Sequence, residues 1–179
     1  RDLVKRFWNA PVIAERDGLK AVDMFRAIEA GKIKAVWIMA TNPVVSLPEA
    51  DRVKAALEKC ELVVVSDCVR DTDTARLAHI RLPALAWGEK DGTVTNSERR
   101  ISRQRAFLPA PGQARADWWI ISEVARQMGF AEHFPYQAPD AIFREHAALS
   151  AFENHGERSF DIGGLAFLSA QDYADFSPR

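Results

Sequence analysis

The chain has 179 residues, of which 47% are apolar and 27% are charged, and its formal net charge is −1. These values are ordinary for a globular protein with a hydrophobic core, and they exclude a protein drawn to nucleic acid or to an anionic membrane by its overall charge. No apolar run approaches the roughly 20 residues of a membrane-spanning helix. We therefore expect neither a nucleic-acid partner nor a membrane partner.

The chain contains two cysteines, Cys60 and Cys68. Two isolated thiols provide no disulfide framework, and without a paired or clustered cysteine motif we expect neither an iron–sulfur nor a zinc site in this stretch. The chain starts at Arg1 and ends without a helix-capping pattern. We expect both ends to be cuts within a longer protein.

The first half of the chain alternates helical periodicity with short apolar runs. The pattern predicts, in order, a helix over 18–30, a strand over 33–39, a helix from Pro48 to about Lys59, a strand over 62–66, a short helix over 71–78 and a strand over 79–82. The inner face of the second helix is predicted to be Val53, Ala56 and Leu57. Strands that alternate with helices indicate an α/β fold with an open, mostly parallel, Rossmann-like sheet and helices on both faces.

The second half is less regular. Residues 84–113 are predicted to be mostly loop. Two helices follow over 116–128 and 139–150, the first with a buried stripe that consists of Trp118, Ile121, Val124, Ala125 and Met128. From Ala151 onward we expect a helical or irregular connector that packs on parts of a larger protein. The expected division is a binding domain over 1–150 and this connector over 151–179.

Polar residues follow the first two predicted strands, and the carboxyl ends of parallel strands meet at one edge of a sheet, where ligands bind. Asn42 follows the first strand and can both donate to and accept from a ligand, although Asn-Pro also favours a plain turn. Ser66 and Asp67 end the second strand. An aspartate there commonly accepts hydrogen bonds from a ribose or a purine, although Asp67 could instead cap the next helix.

The segment Trp87–Arg100 combines glycines with Lys90, whose ammonium group suits a phosphate. The alternative for this segment is a solvated loop with a hairpin turn at Asp91-Gly92 and the start of a strand over 93–95. There is no P-loop and no GxGxxG after a strand, which excludes an ordinary dinucleotide dehydrogenase, and no catalytic triad can be assembled. The four histidines have no partners at metal-ligand spacing, so we predict neither catalytic nor metal-binding residues in this chain.

Four segments match one family in order and spacing: GKIKAVWIMATNP, ELVVVSD, LPALAWGEKDGTVTNSERRISRQR and ARADWWIISEVARQMG. They resemble the molybdopterin oxidoreductase family, and within it the catalytic subunits of bacterial assimilatory nitrate reductases. The resemblance covers nearly the whole chain, and its most specific part is WGEKDGTVTNSERR. It implies that the chain is a fragment of the large subunit, namely the third domain, and that the fragment is not active alone.

The resemblance also implies a cofactor and its contacts. The family holds molybdenum between two molybdopterin guanine dinucleotides, and this domain would hold the guanosine end of one of them through Asn42, Ser66, Asp67, Lys90 and Asp117. From the residues alone Asp117 only starts a helix; its role as a guanine acceptor rests on the resemblance. A 4Fe-4S cluster and the ligand of the metal are implied outside this stretch.

The implied parent reduces nitrate to nitrite in the cytoplasm. Its implied partners are the rest of the catalytic subunit, an electron-donor protein or reductase subunit, and nitrate as the substrate. Two alternatives remain open: the same domain of a formate dehydrogenase, and a non-catalytic interaction module with a nucleotide-binding fold.

Overall fold

The structure of the chain is a computed structural model that describes residues 1–178. This part of the chain contains helices α1 (Asp2–Phe7), α2 (Ala21–Glu29), α3 (Pro43–Ser46), α4 (Ala50–Lys59), α5 (Asp117–Ala125), α6 (Pro139–Ala151) and α7 (Ala170–Ala174), and strands β1 (Ala35–Met39), β2 (Leu62–Asp67), β3 (Ile80–Pro83), β4 (Gly92–Thr95) and β5 (Ile101–Gln104). None of the helices within residues 1–178 has both the length and the apolar character that crossing a membrane requires.

The described chain forms two compact units, each assembled from separate stretches of sequence. The sheet unit consists of Gly18–Glu89 and Leu108–Glu123. The hairpin unit consists of Arg1–Asp17, Lys90–Phe107 and residues 124–178. The expected division into residues 1–150 and 151–179 stays a prediction about the parent protein.

A three-stranded parallel sheet with the order β1-β2-β3 forms the centre of the sheet unit. Met39 lies opposite Ser66 across the first pair of strands, and Asp67 lies opposite Pro83 across the second pair. The carboxyl ends of all three strands therefore share one edge. The α/β class and the open parallel sheet are confirmed.

The hydrophobic core of this unit lies between one face of the sheet and the helices α2 and α4. The period of two along a strand places alternate residues on this face. The buried members are Phe25, Ile28, Ile38, Val53, Ala56, Leu57, Cys60, Val63, Val65 and Ala75. The predicted inner face of α4 is confirmed at all three positions, although the helix begins at Ala50 because Glu49 adopts a left-handed backbone with φ 59°.

A segment from the second stretch of the sheet unit continues the sheet beyond β3. Pro111 and Gly112 form a turn in which the φ of Gly112 is 51°, a backbone that glycine adopts without a steric cost. Arg115 N then donates to Pro83 O at 3.1 Å, and Leu85 N donates to Arg115 O at 3.1 Å. The residues 111–115 thus lie beside the carboxyl end of β3.

The region 84–113 is more ordered than predicted, because it contains a 3₁₀ turn at Trp87–Glu89 and the antiparallel hairpin of β4 and β5. The alternative of a hairpin loop placed a turn at Asp91-Gly92 and the start of a strand over 93–95. Gly92 instead lies within β4, opposite Gln104, and residues 93–95 do belong to this strand. The chain reverses at residues 96–100 instead. There the side-chain oxygen of Asn96 accepts from Arg100 N at 3.0 Å, and Arg99 takes the left-handed conformation at φ 64°.

The predicted helix over 116–128 is shorter, since α5 ends at Ala125 and a π turn with Gly129 at φ 92° follows. Its predicted stripe is wrong at two positions, because Ile121 is 39% exposed and Met128 is 68% exposed. The buried residues are Ile120, Ser122 and Ala125.

The core of the hairpin unit joins the hairpin, α6 and the C-terminal segment. Its buried residues are Ile101, Phe143, Tyr173 and Phe176. The tail was expected to pack on other parts of a larger protein, yet two of its aromatic rings, those of Tyr173 and Phe176, pack against Phe143 at centroid distances of 5.4 and 5.6 Å. Arg179, the last residue of the predicted connector, lies outside the described residues.

Candidate cofactor-binding site

Asn42, at the carboxyl end of β1, fastens the edge of the sheet to the segment after β2. Its amide oxygen Oδ1 accepts from the Thr74 hydroxyl at 2.6 Å and from Thr74 N at 3.3 Å. The same hydroxyl accepts from Val44 N at 3.2 Å, and Thr74 is completely buried. Asn42 is thus more than a plain turn residue: its oxygen is committed to the fold, and its amide NH₂ is the part that can serve a ligand.

Ser66 is buried, with 1% of its surface exposed. Its hydroxyl oxygen accepts from the indole Nε1 of Trp37 at 2.8 Å. The two residues lie on adjacent strands and on the same face of the sheet. This face is opposite to the one that packs on α2 and α4, so the bond orients the Trp37 ring on the second face.

Asp67 ends β2 and shapes the loop that follows it. Its Oδ1 accepts from Val69 N at 3.0 Å, an Asx turn that directs the chain through Cys68 to Arg70. Asp67 is half-buried and does not cap a helix, since the 3₁₀ turn of this region starts only at Ala75. No residue among 1–178 donates to the second oxygen, Oδ2, so this oxygen can accept a hydrogen bond from a ligand.

Asp117 and Lys90 belong to different units. Asp117 is the first residue of α5 in the sheet unit, and its Oδ1 is buried. Lys90 lies in the hairpin unit, two residues before the start of β4, and is half-buried.

A cleft of about 680 Å³ opens at the carboxyl edge of the sheet, within the sheet unit. This volume lies in the range typical of sites for small molecules and cofactors. Its apolar lining includes Val65, Ala75, Leu82, Ala84 and Ala114. Its polar lining consists of Asp67, Cys68, Arg70, Arg81 and Gln113, and Pro111 and Gly112 also line it.

Of the five residues predicted to bind a cofactor, Asp67 lines this cleft directly. Asn42 does not line the cleft, but it forms a hydrogen bond with Thr74, which precedes the lining residue Ala75 in the chain. Ser66 lies beneath the edge, and Asp117 and Lys90 stand outside the lining. The structure therefore brings Asn42, Ser66 and Asp67 to one edge, and the direct contacts remain predictions.

Sequence reasoning missed Arg70, Arg81 and Gln113. Arg81 carried a readable signal, since an arginine inside a short strand of otherwise apolar residues marks an exposed position. Gln113 carried none, because only the tertiary fold returns the segment 111–115 to the edge beside β3.

One carboxylate near the cleft, that of Asp71, is already bound by an arginine. Arg76, outside the cleft, binds both oxygens of Asp71 at 2.7 and 2.9 Å. This hydrogen bonding, opposed by partial desolvation and aided by the charges of Arg76, Arg81 and Arg70, lowers the pKa of Asp71. Asp71 therefore stays ionised, and both of its oxygens are bound by Arg76.

The chemistry of the lining suits a nucleotide. A carboxylate oxygen without a donor can accept from ribose hydroxyls or from the N–H groups of a purine, and an apolar floor accommodates a flat base. Guanidinium groups suit phosphate. Within residues 1–178, no three His, Cys, Asp or Glu side chains are grouped so that they could hold a metal ion.

The chain is similar to several curated proteins along nearly its whole length. It is 61% identical over 173 residues to a nitrate reductase of Klebsiella oxytoca, with 97% of this chain and 20% of that protein covered. It is 50% identical over 180 residues to a nitrate reductase of Shewanella frigidimarina, with 99% and 19% covered. The alpha subunit of an F420-dependent formate dehydrogenase of Methanocaldococcus jannaschii is 40% identical over 144 residues, with 80% and 21% covered.

The chain thus spans about a fifth of the length of these relatives. Among solved structures, acetylene hydratase from Pelobacter acetylenicus matches with a TM-score of 0.66 over 88% of this chain and 20% of that chain. At 22% identity this likeness concerns the fold alone.

The family model of the molybdopterin oxidoreductases matches residues 6–127. With this match over most of its length, the chain belongs to the molybdopterin oxidoreductase family.

Proposed function

We propose that the chain is part of a molybdenum-dependent nitrate reductase and that its sheet unit holds the guanosine end of one molybdopterin guanine dinucleotide. The proposal that nitrate is the substrate rests on the 61% identity to a nitrate reductase over 97% of the chain. The observation that supports the nucleotide is the cleft of about 680 Å³ beside Asp67, at the edge where parallel sheets bind their ligands.

Asp67 is the central contact in this proposal. One oxygen of Asp67 orders the loop through Val69 N, and the other accepts from the ribose or the guanine. Asn42 offers its amide NH₂ while Thr74 holds its oxygen, so that the donor is already oriented before the ligand arrives. Ser66 acts through its bond to Trp37 and keeps the edge of the sheet in shape.

Lys90 and Asp117 complete the proposed set, Lys90 as a phosphate or ribose contact and Asp117 as a guanine acceptor. A carboxylate accepts two parallel N–H donors, as the edge of guanine presents them. Both assignments rest on the resemblance of the WGEK and ADWW segments to the family. Asp117 is the first residue of α5.

The bound molybdenum cofactor supplies the redox chemistry by which nitrate becomes nitrite, and the residues of this chain position it. The proposal further includes a second molybdopterin guanine dinucleotide, a 4Fe-4S cluster held elsewhere in the parent, an electron-donor protein and a cytoplasmic location. Residues 151–179 would lead toward the next domain of that parent. A chain that holds one end of a large cofactor is not expected to be active alone.

Replacement of Asp67 or Asp117 by alanine in the full-length protein tests the site. A lost charged hydrogen bond should weaken retention of the cofactor by about tenfold. Molybdenum per protein should fall when cofactor is limiting, while nitrate reduction per molybdenum atom stays near the wild-type value. The matched control is Asp51→Ala, which removes an exposed aspartate from α4. Full molybdenum content in both site variants would refute the assignment.

Formate oxidation is the second candidate, because the formate dehydrogenase of Methanocaldococcus jannaschii is 40% identical. Assays of the full-length protein with nitrate and with formate separate the two activities. A third possibility, a non-catalytic interaction module, predicts a full-length protein without molybdenum. Elemental analysis of the purified full-length protein distinguishes this module from both enzymes.

A further inference from the structure

The first strand of the parallel sheet uses only one of its two edges. β1 lies at one end of the order β1-β2-β3, and among residues 1–178 it pairs with β2 alone. Ala40 N donates to Ser66 O at 3.0 Å, and Lys34 O accepts from Leu62 N at 3.0 Å. Alternate residues of a parallel strand bond to the same neighbour. The backbone groups at positions 34, 36, 38 and 40 therefore face β2.

The remaining residues of β1 direct their backbone N–H and C=O groups away from β2. These residues are Ala35, Trp37 and Met39, and we call their backbone groups the outer edge of β1. In the part of the chain that the structure describes, no other backbone group bonds to this edge. The outer edge therefore needs water or a further chain segment as its partner.

β1 lacks the features by which proteins protect a strand at the border of a sheet. Such a strand usually carries a charge, a proline or a bulge. The segment AVWIM contains neither a charge nor a proline, and its pairing with β2 runs without interruption. The opposite border is different, because β3 contains Arg81 and Pro83, and Arg115 N donates to Pro83 O at 3.1 Å. The composition of β1 is thus that of an interior strand.

The face of the sheet that carries the Trp37 side chain is covered only in part. The register places Trp37 beside Val64, and Val64 beside Ile80. On this face Ile80 is 47% exposed and Leu62 is 38% exposed, whereas Val63 on the opposite face is fully buried. Parallel sheets occur almost only with both faces covered. This apolar, half-open face indicates that further polypeptide completes the sheet.

We propose that the outer edge of β1 pairs with a β-strand from another part of the same polypeptide, outside residues 1–179. The edge requires an extended partner, because a ladder of outward N–H and C=O groups matches the spacing of another strand. The chain spans about a fifth of the length of its nitrate reductase relatives, so most of such a polypeptide lies outside it.

A strand of the same polypeptide is favoured over one from a second copy, because a tethered segment has a high effective concentration at the edge. The inference rests on the proposed function only in that the chain is part of a longer protein. It does not depend on the substrate or on the cofactor of that protein.

Hydrogen exchange of the full-length protein, measured by mass spectrometry at the resolution of single amides, tests the pairing. The N–H groups of Trp37 and Met39 should exchange at least about a hundredfold more slowly than in the urea-unfolded protein, as amides in a paired strand do. Val36 and Ile38 are the matched controls, because their N–H groups face β2 whether or not the outer edge is paired. Exchange of Trp37 and Met39 near the unfolded rate, beside protected controls, would overturn the proposal.

Photo-crosslinking of the full-length protein identifies the partner. A diazirine analogue of methionine at position 39 should give crosslinks to peptides of the same polypeptide outside residues 1–179. The same analogue at position 24 is the control and should crosslink within this chain, because Met24 packs against the core of the sheet unit. A covalent dimer formed from position 39 would assign the edge to a second copy, and crosslinks from position 39 only within residues 1–179 would leave no external strand. Either result contradicts the proposal.

The outcome is separable from that of the proposed function. A full-length protein that retains molybdenum and reduces nitrate, but in which Trp37 and Met39 exchange freely, would reject the added strand and leave the function. Slow exchange at both residues and external crosslinks in a full-length protein that does not reduce nitrate would do the reverse.

Discussion

Thr74 shows how much of the edge depends on one buried side chain. Its hydroxyl donates to Asn42 and accepts from Val44 N, and none of its surface is exposed. These two bonds connect the turn after β1 with the loop after β2. A polar group that makes several internal bonds in the core is costly to remove, because its partners lose their hydrogen bonds without access to water.

Thr74→Val should therefore destabilise the chain by about 1–3 kcal/mol, since the replacement keeps the shape and leaves the Asn42 oxygen and Val44 N without this partner. Urea unfolding followed by circular dichroism measures the loss. Thr41→Val, at an exposed neighbouring position, serves as the control and should cost far less. Equal midpoints for the two variants would contradict the role given to Thr74.

At the scale of elements, the contact between α6 and the 3₁₀ turn Gly163–Leu165 leaves no space for a side chain. A Cβ atom on Gly163 would lie 2.3 Å from the Cβ of Ala151, whereas one on Gly164 would meet nothing within 4 Å. The two adjacent glycines thus provide a matched pair. Only Gly163 is required by packing.

Gly163→Ala should lower the free energy of unfolding by about 1–3 kcal/mol, because the turn must move away from the end of α6. Gly164→Ala should be close to neutral. Thermal unfolding of both variants by calorimetry tests the difference. A Gly163→Ala variant that melts together with Gly164→Ala would show that the turn moves without cost.

At the scale of the whole molecule, acidic groups with lowered pKa values occur in both units. The pKa of Asp71 is lowered first by hydrogen bonds from Arg76, that of Glu153 by a hydrogen bond from Arg6, and that of Asp161 by the N–H of Gly163. A carboxylate with a lowered pKa stabilises the folded chain above its unfolded pKa and loses this contribution as the pH falls through the folded pKa. The ordinary values here are 3.8 and 4.5.

The Tm of the chain should accordingly fall as the pH is lowered from about 5 to 3. Replacement of Asp71 and Asp161 by asparagine and of Glu153 by glutamine should reduce this fall, because these three groups no longer bind protons on unfolding. Calorimetry at pH 6, 4 and 3 on both proteins provides the measurement. An identical decline in both would mean that other carboxylates govern the acid response.

Much of the sheet unit was predictable from local pattern. The strands β1 and β2 are uninterrupted apolar runs, and α4 has Val53, Ala56 and Leu57 at helical spacing, so each element carries its own signal. The turn at residues 96–100 and the shortened α5 were not predicted. The turn depends on the side-chain oxygen of Asn96 and on the left-handed backbone of Arg99, and α5 gives way to a π turn with Gly129 at positive φ, none of which hydrophobic spacing reports.

The residues of the candidate site were likewise predicted only in part. Asn42, Ser66 and Asp67 were placed at one edge because parallel strands end together, and this placement is what the register shows. Arg70, Arg81 and Gln113 were overlooked, since no motif marks them. The wall that includes Gln113 forms only when residues 111–115 return to β3, about thirty residues along the chain from it.

The sequence by itself determined the α/β class, the order of the first strands and the family, because these follow from the periodicity of apolar residues and from contiguous motifs. The tertiary structure alone decided which polar groups remain open to a ligand. The Asn42 oxygen accepts from Thr74 and the Ser66 hydroxyl oxygen accepts from Trp37, whereas an oxygen of Asp67 and the guanidinium groups of Arg70 and Arg81 remain at the cleft. Hydrogen-bond partners are chosen among residues far apart in the chain, so their choice is visible only after folding.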